Sequence, residues 1–382
     1  MTGAVLTIDL SAIAENVERF AAIRPGFTAV VKANGFGHGS VDVAEVAIAH
    51  GAGRLGVTGT DEALTLRAAG ITAPILSWLN PLDTDFGEAI RNRIAIAVGS
   101  VALLERIADA AVIAGRASVH LVVDTGMTRE GADNREWTRL CRRACDLERR
   151  GLVTVDGIMS HLACADDPDH PANRSALARF DEATRTAERA GISSRTRHIA
   201  ATAATLDIPE TRLDDVRVGA GLYGIDPSGR GRLRQAMTLT VPVVEVRTAP
   251  PGSAVGYGRT FRVDDATRLA LLPVGYADGI PRAAAGIARV NLGGRRCPVV
   301  GAVSMDQIVV DVGASDVRVG DVATVFGPGD DGEPRLADWA VWCRTIEHEL
   351  MTGIGPRVKR RVVRSEPVPN LHHLKGLHDS LC

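Results

Sequence analysis

The sequence lacks the features that mark membrane and secreted proteins. It contains no run of about 18 or more apolar residues, the length that a membrane-spanning helix requires. No basic segment precedes an apolar run near its start, so we do not expect a secretory signal. These absences predict a cytoplasmic protein with no membrane association.

An excess of one charge sign is also missing. Lys and Arg total 44 against 46 Asp and Glu, for a net charge of −2, which leaves no basic surface for nucleic acid. The six cysteines form no CxxC pair and no zinc-binding spacing, so we expect reduced thiols and no metal site. A chain of 382 residues that is 45% hydrophobic is long enough for two or three domains with sizeable cores.

Eight short apolar segments alternate with helix-like amphipathic segments over the first part of the chain. Eight such units over about 220 residues predict a closed parallel (β/α)8 barrel, the TIM barrel, at residues 9–230. The alternative is an open doubly wound sheet, but no glycine-rich turn of the dinucleotide-binding kind follows the first strand. The predicted strands are Phe27–Ala33, Arg54–Gly59, Pro74–Leu79, Ile94–Gly99, Val119–Gly126, Val155–Ala163, His198–Ala204 and Asp215–Gly224.

The pattern changes after about residue 230. Short β-branched runs separated by Gly, Pro and Asp predict a mainly antiparallel β domain at residues 231–366, and helical periodicity returns only at Ala337–Leu350. We expect the strand-like N-terminus, residues 1–8, to join this domain, and residues 367–382 to form a tail. The predicted fold class is therefore α/β + β.

Lys32 is the first candidate catalytic residue. Active sites of TIM barrels lie at the carboxyl ends of the strands, and Lys32 ends the first predicted strand. It is either a solvent-exposed lysine at a strand end or a desolvated amine able to form a Schiff base. The glycines that follow it would allow the backbone to approach a ligand closely.

The segment Gly219–Gly224 matches the pattern G-x-G-x-x-G. A dinucleotide-binding fingerprint follows the first strand and opens a helix, whereas this segment follows the last barrel strand, so we reject that interpretation. The alternatives are a phosphate-binding loop and a tight turn that leaves the barrel. A reactive lysine facing a phosphate site suggests a phosphorylated aldehyde cofactor, and pyridoxal 5′-phosphate (PLP) fits this description.

Seven segments of the chain, in order, resemble the alanine racemase family, and the resemblance covers about residues 4 to 363. It implies a PLP enzyme acting on a small amino acid, built as a barrel plus a β domain and usually a head-to-tail homodimer. The segments are Ala29-Val-Val-Lys32-Ala-Asn-Gly-Phe-Gly-His-Gly39, Val123-Asp-Thr-Gly-Met-Thr-Arg129, Met159-Ser-His-Leu162, Val216-Arg-Val-Gly-Ala-Gly-Leu-Tyr-Gly224, Val255-Gly-Tyr-Gly-Arg-Thr260, Leu272-Pro-Val-Gly-Tyr-Ala-Asp-Gly279 and Met305-Asp-Gln307.

The resemblance also implies a role for individual residues. Lys32 would bind PLP covalently and act as one catalytic base, with Tyr257 of the partner subunit as the opposing base. His161 would stack on the pyridine ring and Arg217 would face its nitrogen. The other implied contacts are Thr202, Gly219, Ala220 and His348 for the cofactor phosphate, and Arg129, Tyr276 and Met305 for the substrate.

Several positions depart from the family pattern. Phe36 and His348 stand where the family has tyrosines near the phosphate, Val122 where it often has a lysine that can be carbamylated, and Ser304 where it has cysteine. Each lost phenol removes a hydrogen bond worth roughly 1.5–3 kcal/mol to a charged partner, unless His348 replaces one. Four functions stay open: racemisation of alanine, racemisation of serine or a larger amino acid, another PLP reaction such as decarboxylation, and PLP binding without turnover.

Overall fold

The structure is a computed structural model that describes residues 3–193, 196–230 and 232–364. The predicted tail at 367–382, the predicted domain end at 366 and the predicted boundary residue 231 lie outside the described residues. In the described part, the chain forms one eight-stranded parallel sheet and one nine-stranded mixed sheet, so the predicted fold class is confirmed.

The parallel sheet curves into a barrel whose strands follow one another in chain order, from β2 to β9. The strands are β2 (Thr28–Val30), β3 (Arg54–Val57), β4 (Ile75–Ser77), β5 (Ile94–Val98), β6 (Ala117–Val122), β7 (Val153–Met159), β8 (Thr196–His198) and β9 (Arg217–Val218). The helices around it are Leu10–Ile23, Ser40–Ala49, Thr60–Ala68, Phe86–Arg91, Val101–Ala114, Asn134–Arg149, Pro171–Arg189 and Thr202–Asp207.

The barrel closes between its first and last strands. β2 pairs with both β3 and β9, and the Arg217 N–H donates to the carbonyl of Ala200 just after β8. The strands are short, apolar and β-branched because helices cover their outer faces; Thr28–Val30 and Ile75–Ser77 are buried throughout. This closure brings the carboxyl ends of all eight strands to one mouth.

The second sheet contains the N-terminal strand together with the C-terminal third of the chain. Its strand order is β11-β14-β17-β16-β15-β18-β10-β1-β19, and β1 lies between the antiparallel β10 and the parallel β19. The strands are β1 (Val5–Asp9), β10 (Met237–Pro242), β11 (Glu245–Ala249), β14 (Thr267–Leu272), β15 (Arg289–Leu292), β16 (Arg295–Val300), β17 (Ile308–Gly313), β18 (Val322–Phe326) and β19 (Lys359–Val363), with β12 (Ala254–Val255) and β13 (Phe261–Arg262) forming a separate ribbon.

Two predicted elements were wrong in detail. The seventh barrel strand, predicted at His198–Ala204, runs instead at Thr196–His198, and Thr202 is the first residue of a helix. The alanine-rich stretch that follows His198 favours a helix over a strand because alanine is a strong helix former. The predicted helix Ala337–Leu350 is two helices, Leu336–Cys343 and Glu347–Thr352, separated by a left-handed residue at Arg344.

Some features are absent from the part of the chain that the structure describes. Its five cysteines are free thiols, and no cluster of three His, Cys, Asp or Glu side chains has the geometry of a metal site. No helix within residues 3–193, 196–230 and 232–364 is long and apolar enough to cross a bilayer.

Candidate active site

A cavity of about 790 Å³ opens at the carboxyl ends of the barrel strands. Eight of the residues predicted for the site line this one cavity, although they come from five strand ends and a C-terminal helix. They are Lys32, Arg129, His161, Thr202, Arg217, Gly219, Ala220 and His348. Its size falls within the range of small-molecule sites, and it holds both apolar and polar groups.

Lys32 precedes an unusual turn. The next four residues, Ala33 to Phe36, have φ angles of 52°, 53°, 61° and 51°, so the chain makes a left-handed turn directly after the lysine. Each non-glycine residue in this conformation costs about 1–2 kcal/mol. The surrounding structure must therefore hold the turn in place, which is typical of functional sites.

Packing from the C-terminal domain fixes the far side of this turn. Gly37 has a φ of 83°, and a Cβ there would lie 2.7 Å from the carbonyl oxygen of Met351. The helix Glu347–Thr352 therefore sits directly on the backbone that follows Lys32. His348, in the same helix, has its ring centre 6.0 Å from that of Phe36.

The amine of Lys32 lies near two aromatic rings. Its Nζ is 6.0 Å from the centre of the Phe36 ring and 5.9 Å from that of Trp78. Burial lowers the pKa of Lys32, and the nearby charge of Arg129 lowers it further, while Glu62 and Glu130 act in the opposite direction. A larger share of the amine is then uncharged near neutral pH, as a nucleophile or a base requires.

Arg217 is buried at the base of the cavity among neutral acceptors. Its Nη1 donates to Nδ1 and to the carbonyl of His198 at 2.9 and 3.0 Å, and its Nη2 donates to the Ser160 carbonyl at 2.6 Å and to His161 Nδ1 at 3.2 Å. Burial lowers the pKa of Arg217 to about 10, so the guanidinium remains charged at neutral pH. A buried charge held by neutral groups is costly, and this indicates a functional role.

The hydrogen bonds around Arg217 also assign the histidine tautomers. His198 accepts through Nδ1, so its Nε2 carries the proton and donates to Nδ1 of His120 at 2.9 Å. Space for His120 comes from Gly157, where a Cβ would lie 2.2 Å from that Nδ1. The barrel interior therefore holds a line of polar groups, from His120 through His198 to Arg217, that fixes the guanidinium in one orientation.

The buried histidines predict that the protein loses stability in mild acid. Burial lowers the pKa of His38 to about 4 and those of His120 and His161 to about 3, and it holds that of His198 well below the usual value. Between pH 6.5 and 5 the unfolded chain binds protons that the folded chain does not. The free energy of unfolding should therefore fall with pH, by up to about 1.4 kcal/mol per pH unit for each histidine.

Urea denaturation at pH 7, 6 and 5 measures this slope, in a range above the titration of most carboxylates. His50 offers a control because it is a third exposed and pairs with Glu18 on the surface. The variant His50→Gln should keep the steep slope. A free energy of unfolding that does not change between pH 7 and 5 would contradict the burial of four neutral histidines.

The part of the cavity lined by Thr202, Gly219 and His348 has the features of an anion-binding site. Gly219 packs so closely that a Cβ would lie 3.0 Å from the Phe36 ring, and the Thr202 hydroxyl accepts from the Gly221 N–H at 3.1 Å. In the part of the chain that the structure describes, Nδ1 of His348 is buried without a hydrogen-bond partner. Burial lowers the pKa of His348, and the nearby charge of Lys32 lowers it further, so the ring is neutral at pH 7.

Arg129 lies at the rim of the cavity on a loop that Asp124 organises. One oxygen of Asp124 accepts from the N–H groups of residues 126, 127 and 128 at 2.8, 3.0 and 3.1 Å. Arg129 forms an ion pair with Glu130 at 2.8 Å and exposes 55% of its side chain. The guanidinium is therefore accessible to an anionic substrate group.

Three predicted site residues lie elsewhere. Tyr257, Tyr276 and Met305 belong to the C-terminal domain, do not line the cavity of their own chain, and are 75%, 43% and 52% exposed. Backbone hydrogen bonds join Tyr276 to Ser304 and Ala277 to Met305, each at 3.0 Å, so Tyr276 and Met305 share one surface. That surface presents a phenol and a methionine to solvent, and Tyr257 is exposed as well.

The sequence interpretation missed several residues of the site. Trp78 follows β4 and Glu62 lies in the helix after β3, so the rule that active-site residues follow barrel strands applies to both. His120 and His198 lie within strands, and no local pattern distinguishes them from ordinary core residues.

Comparison with known proteins agrees with this site. The family model described as "Alanine racemase, N-terminal domain" matches residues 8–227, and "Alanine racemase, C-terminal domain" matches residues 236–362. An alanine racemase of Thermobifida fusca is 46% identical over 359 residues, which span 92% of this chain and 96% of that protein.

Solved structures give the same result. Alanine racemase from the D-cycloserine-producing Streptomyces lavendulae has a TM-score of 0.93 and 40% identity, covering 96% of this chain and 98% of that one. Alanine racemase from Bartonella henselae, solved with covalently bound pyridoxal phosphate, has a TM-score of 0.86 and 28% identity, covering 95% of this chain and 100% of that one. Fold, site and relatives together show that this chain belongs to the alanine racemase family.

Proposed function

We propose that this protein is a cytoplasmic, PLP-dependent isomerase that interconverts L- and D-alanine and supplies D-alanine for biosynthesis. We further propose that it works as a head-to-tail homodimer with two shared active sites. The observation that supports this most strongly is the half-buried amine of Lys32, which lies in one cavity with Arg217 and the loop at Gly219. Relatives named alanine racemases, among them two that are 46% and 44% identical, support alanine over serine or larger substrates.

The residues of the cavity fit PLP. Lys32 offers an amine to the aldehyde, the neutral ring of His161 offers a stacking surface, and Arg217 offers a donor to the ring nitrogen. The buried, unpartnered Nδ1 of His348 has no acceptor in the described part of the chain, and a phosphate oxygen would supply one. The absence of a Cβ at Gly219 lets this loop pack directly against the Phe36 ring and Val30 in the wall of the cavity.

When bound, PLP supplies an electron-withdrawing ring that stabilises negative charge on the substrate α-carbon. The protein residues then transfer two protons, one off and one onto the α-carbon. Of Lys32 and Tyr257 of the partner subunit, one removes the proton from its face of the α-carbon and becomes protonated, and the other donates its own proton to the opposite face, which inverts the centre. Arg217 keeps its own proton because its pKa stays near 10, so it acts as a hydrogen-bond donor and not as an acid.

Substrate binding would use groups on both subunits. Arg129 is accessible at the rim of the cavity and suits the carboxylate of an amino acid. The partner would add the surface formed by Tyr276 and Met305, which a single chain leaves exposed. A second copy therefore both completes the site and covers these apolar side chains.

The test of this function combines trapping with chiral analysis. Borohydride reduction of the PLP-loaded protein, followed by peptide mass spectrometry, should place the cofactor on Lys32, one of three lysines in the chain with Lys359 and Lys375. The same preparation should convert L-alanine into D-alanine faster than it converts serine. Cofactor on another lysine, or no D-alanine, would overturn the proposal.

We predict that His348 contributes to binding of the PLP phosphate. His348→Phe keeps an aromatic ring against Phe36 but removes the unpartnered nitrogen, so a hydrogen bond of roughly 1.5–3 kcal/mol to a charged group is lost. The Kd for PLP should rise about tenfold to a hundredfold in equilibrium dialysis. Phe36→Tyr adds a phenol on the same side and should lower the Kd instead. An unchanged Kd in His348→Phe would remove this residue from the phosphate site.

A further inference from the structure

A carboxylate connects the lysine turn to the neighbouring strand end. Glu62 Oε1 accepts from the backbone N–H of Ala33 at 2.6 Å, and its Oε2 accepts from the N–H of Thr58 at 2.8 Å. Ala33 immediately follows Lys32 and is the first left-handed residue of the turn. Thr58 follows β3, the neighbour of β2, so one side chain joins two loops of the barrel mouth.

We propose that Glu62 is a positioning residue for Lys32. Its carboxylate accepts a hydrogen bond from the first amide of the left-handed turn, and this bond fixes the direction in which the Lys32 side chain extends. This inference rests on the proposed function of Lys32 as the cofactor-binding amine. Residues that lie in left-handed geometry persist only where surrounding contacts hold them. Phe36 and Gly37 are held by packing at the far end of the turn, and Glu62 supplies the hydrogen bond at the near end.

The bond requires a full carboxylate of this length. The N–H groups of Ala33 and Thr58 donate to different oxygens of Glu62, and glutamine would place an amide group, itself a donor, opposite one of them. Aspartate keeps both oxygens and the charge but is one methylene shorter, so it cannot reach both amides from the same helix position. Glu62→Gln therefore tests the role of the negative charge, and Glu62→Asp tests the role of the side-chain length.

Glu62 is also one of the charges that surround the Lys32 amine. The titratable and charged groups near that amine are Glu62, Arg129, Glu130, His161 and His348. Of these, Glu62 and Glu130 raise the pKa of Lys32, against the larger effect of burial. Loss of the charge in Glu62→Gln should lower the pKa of Lys32, whereas Glu62→Asp keeps the charge.

The first experiment needs no cofactor. Hydrogen exchange of the apoprotein, followed by mass spectrometry, should show at least about tenfold faster exchange in peptides that cover residues 33–37 in both Glu62→Gln and Glu62→Asp. Asp61→Asn is the matched control, because Asp61 lies on the exposed side of the same helical turn. Wild-type exchange in both Glu62 variants would overturn the proposal.

The second experiment measures the amine. PLP should attach to Lys32 about tenfold to a hundredfold more slowly in both Glu62 variants than in wild type or Asp61→Asn, because a misplaced nucleophile reacts slowly. The pH midpoint for reductive methylation of Lys32 should move down in Glu62→Gln and stay near wild type in Glu62→Asp. A structural defect alone would move the midpoint equally in both variants, and attachment at the wild-type rate in both would refute positioning.

These measurements distinguish failure of the inference from failure of the proposed function. If wild-type protein attaches no PLP to Lys32, the proposed function fails, while the exchange rates of residues 33–37 still report whether Glu62 holds the turn. If wild type attaches PLP and the Glu62 variants do so equally fast, the function stands and the positioning role fails.

Discussion

Equal amounts of Lys32→Ala and Tyr257→Phe subunits, co-expressed or refolded together, should regain about a quarter of the wild-type racemase activity. Each variant alone removes one of the two proposed bases and should be about a thousandfold slower. Half of the randomly assembled dimers contain one subunit of each kind, and each of these has one site with both bases intact. The exposed position of Tyr257, outside the cavity of its own chain, motivates this expectation.

A matched mixture provides the control. Wild type mixed equally with the double variant Lys32→Ala/Tyr257→Phe should keep about a quarter of full activity if Tyr257 serves the partner, because mixed dimers then have a defect in both sites. It should keep about half if both bases belong to one chain. If the mixture of Lys32→Ala and Tyr257→Phe is as inactive as either variant alone, Tyr257 does not complete the active site of the partner subunit.

Replacing Arg217 should change which reaction the enzyme performs. In Arg217→Glu a carboxylate faces the ring nitrogen and can accept a hydrogen bond from its protonated form, whereas a guanidinium can only donate and so favours the unprotonated nitrogen. A protonated ring withdraws electrons more strongly and favours side reactions, so the ratio of transamination to racemisation should rise about tenfold, or roughly 1.4 kcal/mol. Pyruvate and D-alanine measured in one reaction give this ratio.

Arg217→Gln is the isosteric control for this prediction. It removes the same hydrogen bonds to His198 and Ser160 as Arg217→Glu but offers no ionisable group. The two variants should therefore be similarly slow in racemisation and differ in their transamination ratio. A ratio in Arg217→Glu equal to that of wild type would show that the charge at this position does not control the outcome.

Much of the architecture could be predicted from the sequence, because the spacing of apolar residues reflects which faces of a strand or helix are buried. The segment around Val30 is apolar on both faces, and this alone indicates a strand covered by helices. The error at His198–Ala204 arose where the sequence is a run of small residues with no clear period. The left-handed turn after Lys32 was not predictable, since packing by Met351 and the bond from Glu62 come from distant parts of the chain.

The residues of the site were likewise predictable only in part. Lys32 and Arg129 follow barrel strands, at the side of the barrel where active sites lie, and Arg217 belongs to the short last strand. His120 differs, because its role depends on the space left by Gly157 and on its bond to His198, which lies two strands away in the sheet, beyond β7. Such pairings depend on three-dimensional register, which a single sequence does not reveal. The position of Tyr257 opposite a lysine stays a prediction.

The place of β1 in the second sheet has a consequence for biosynthesis. This strand precedes the barrel in the chain, yet both neighbours that pair with it, β10 and β19, are translated after the barrel. Leu6 and Ile8 are fully buried in the finished sheet, so the nascent chain carries an unpaired apolar strand until β10 is translated, and one edge of that strand stays open until β19 follows. Premature termination before Lys359 would leave that strand with an open edge, a template for aggregation.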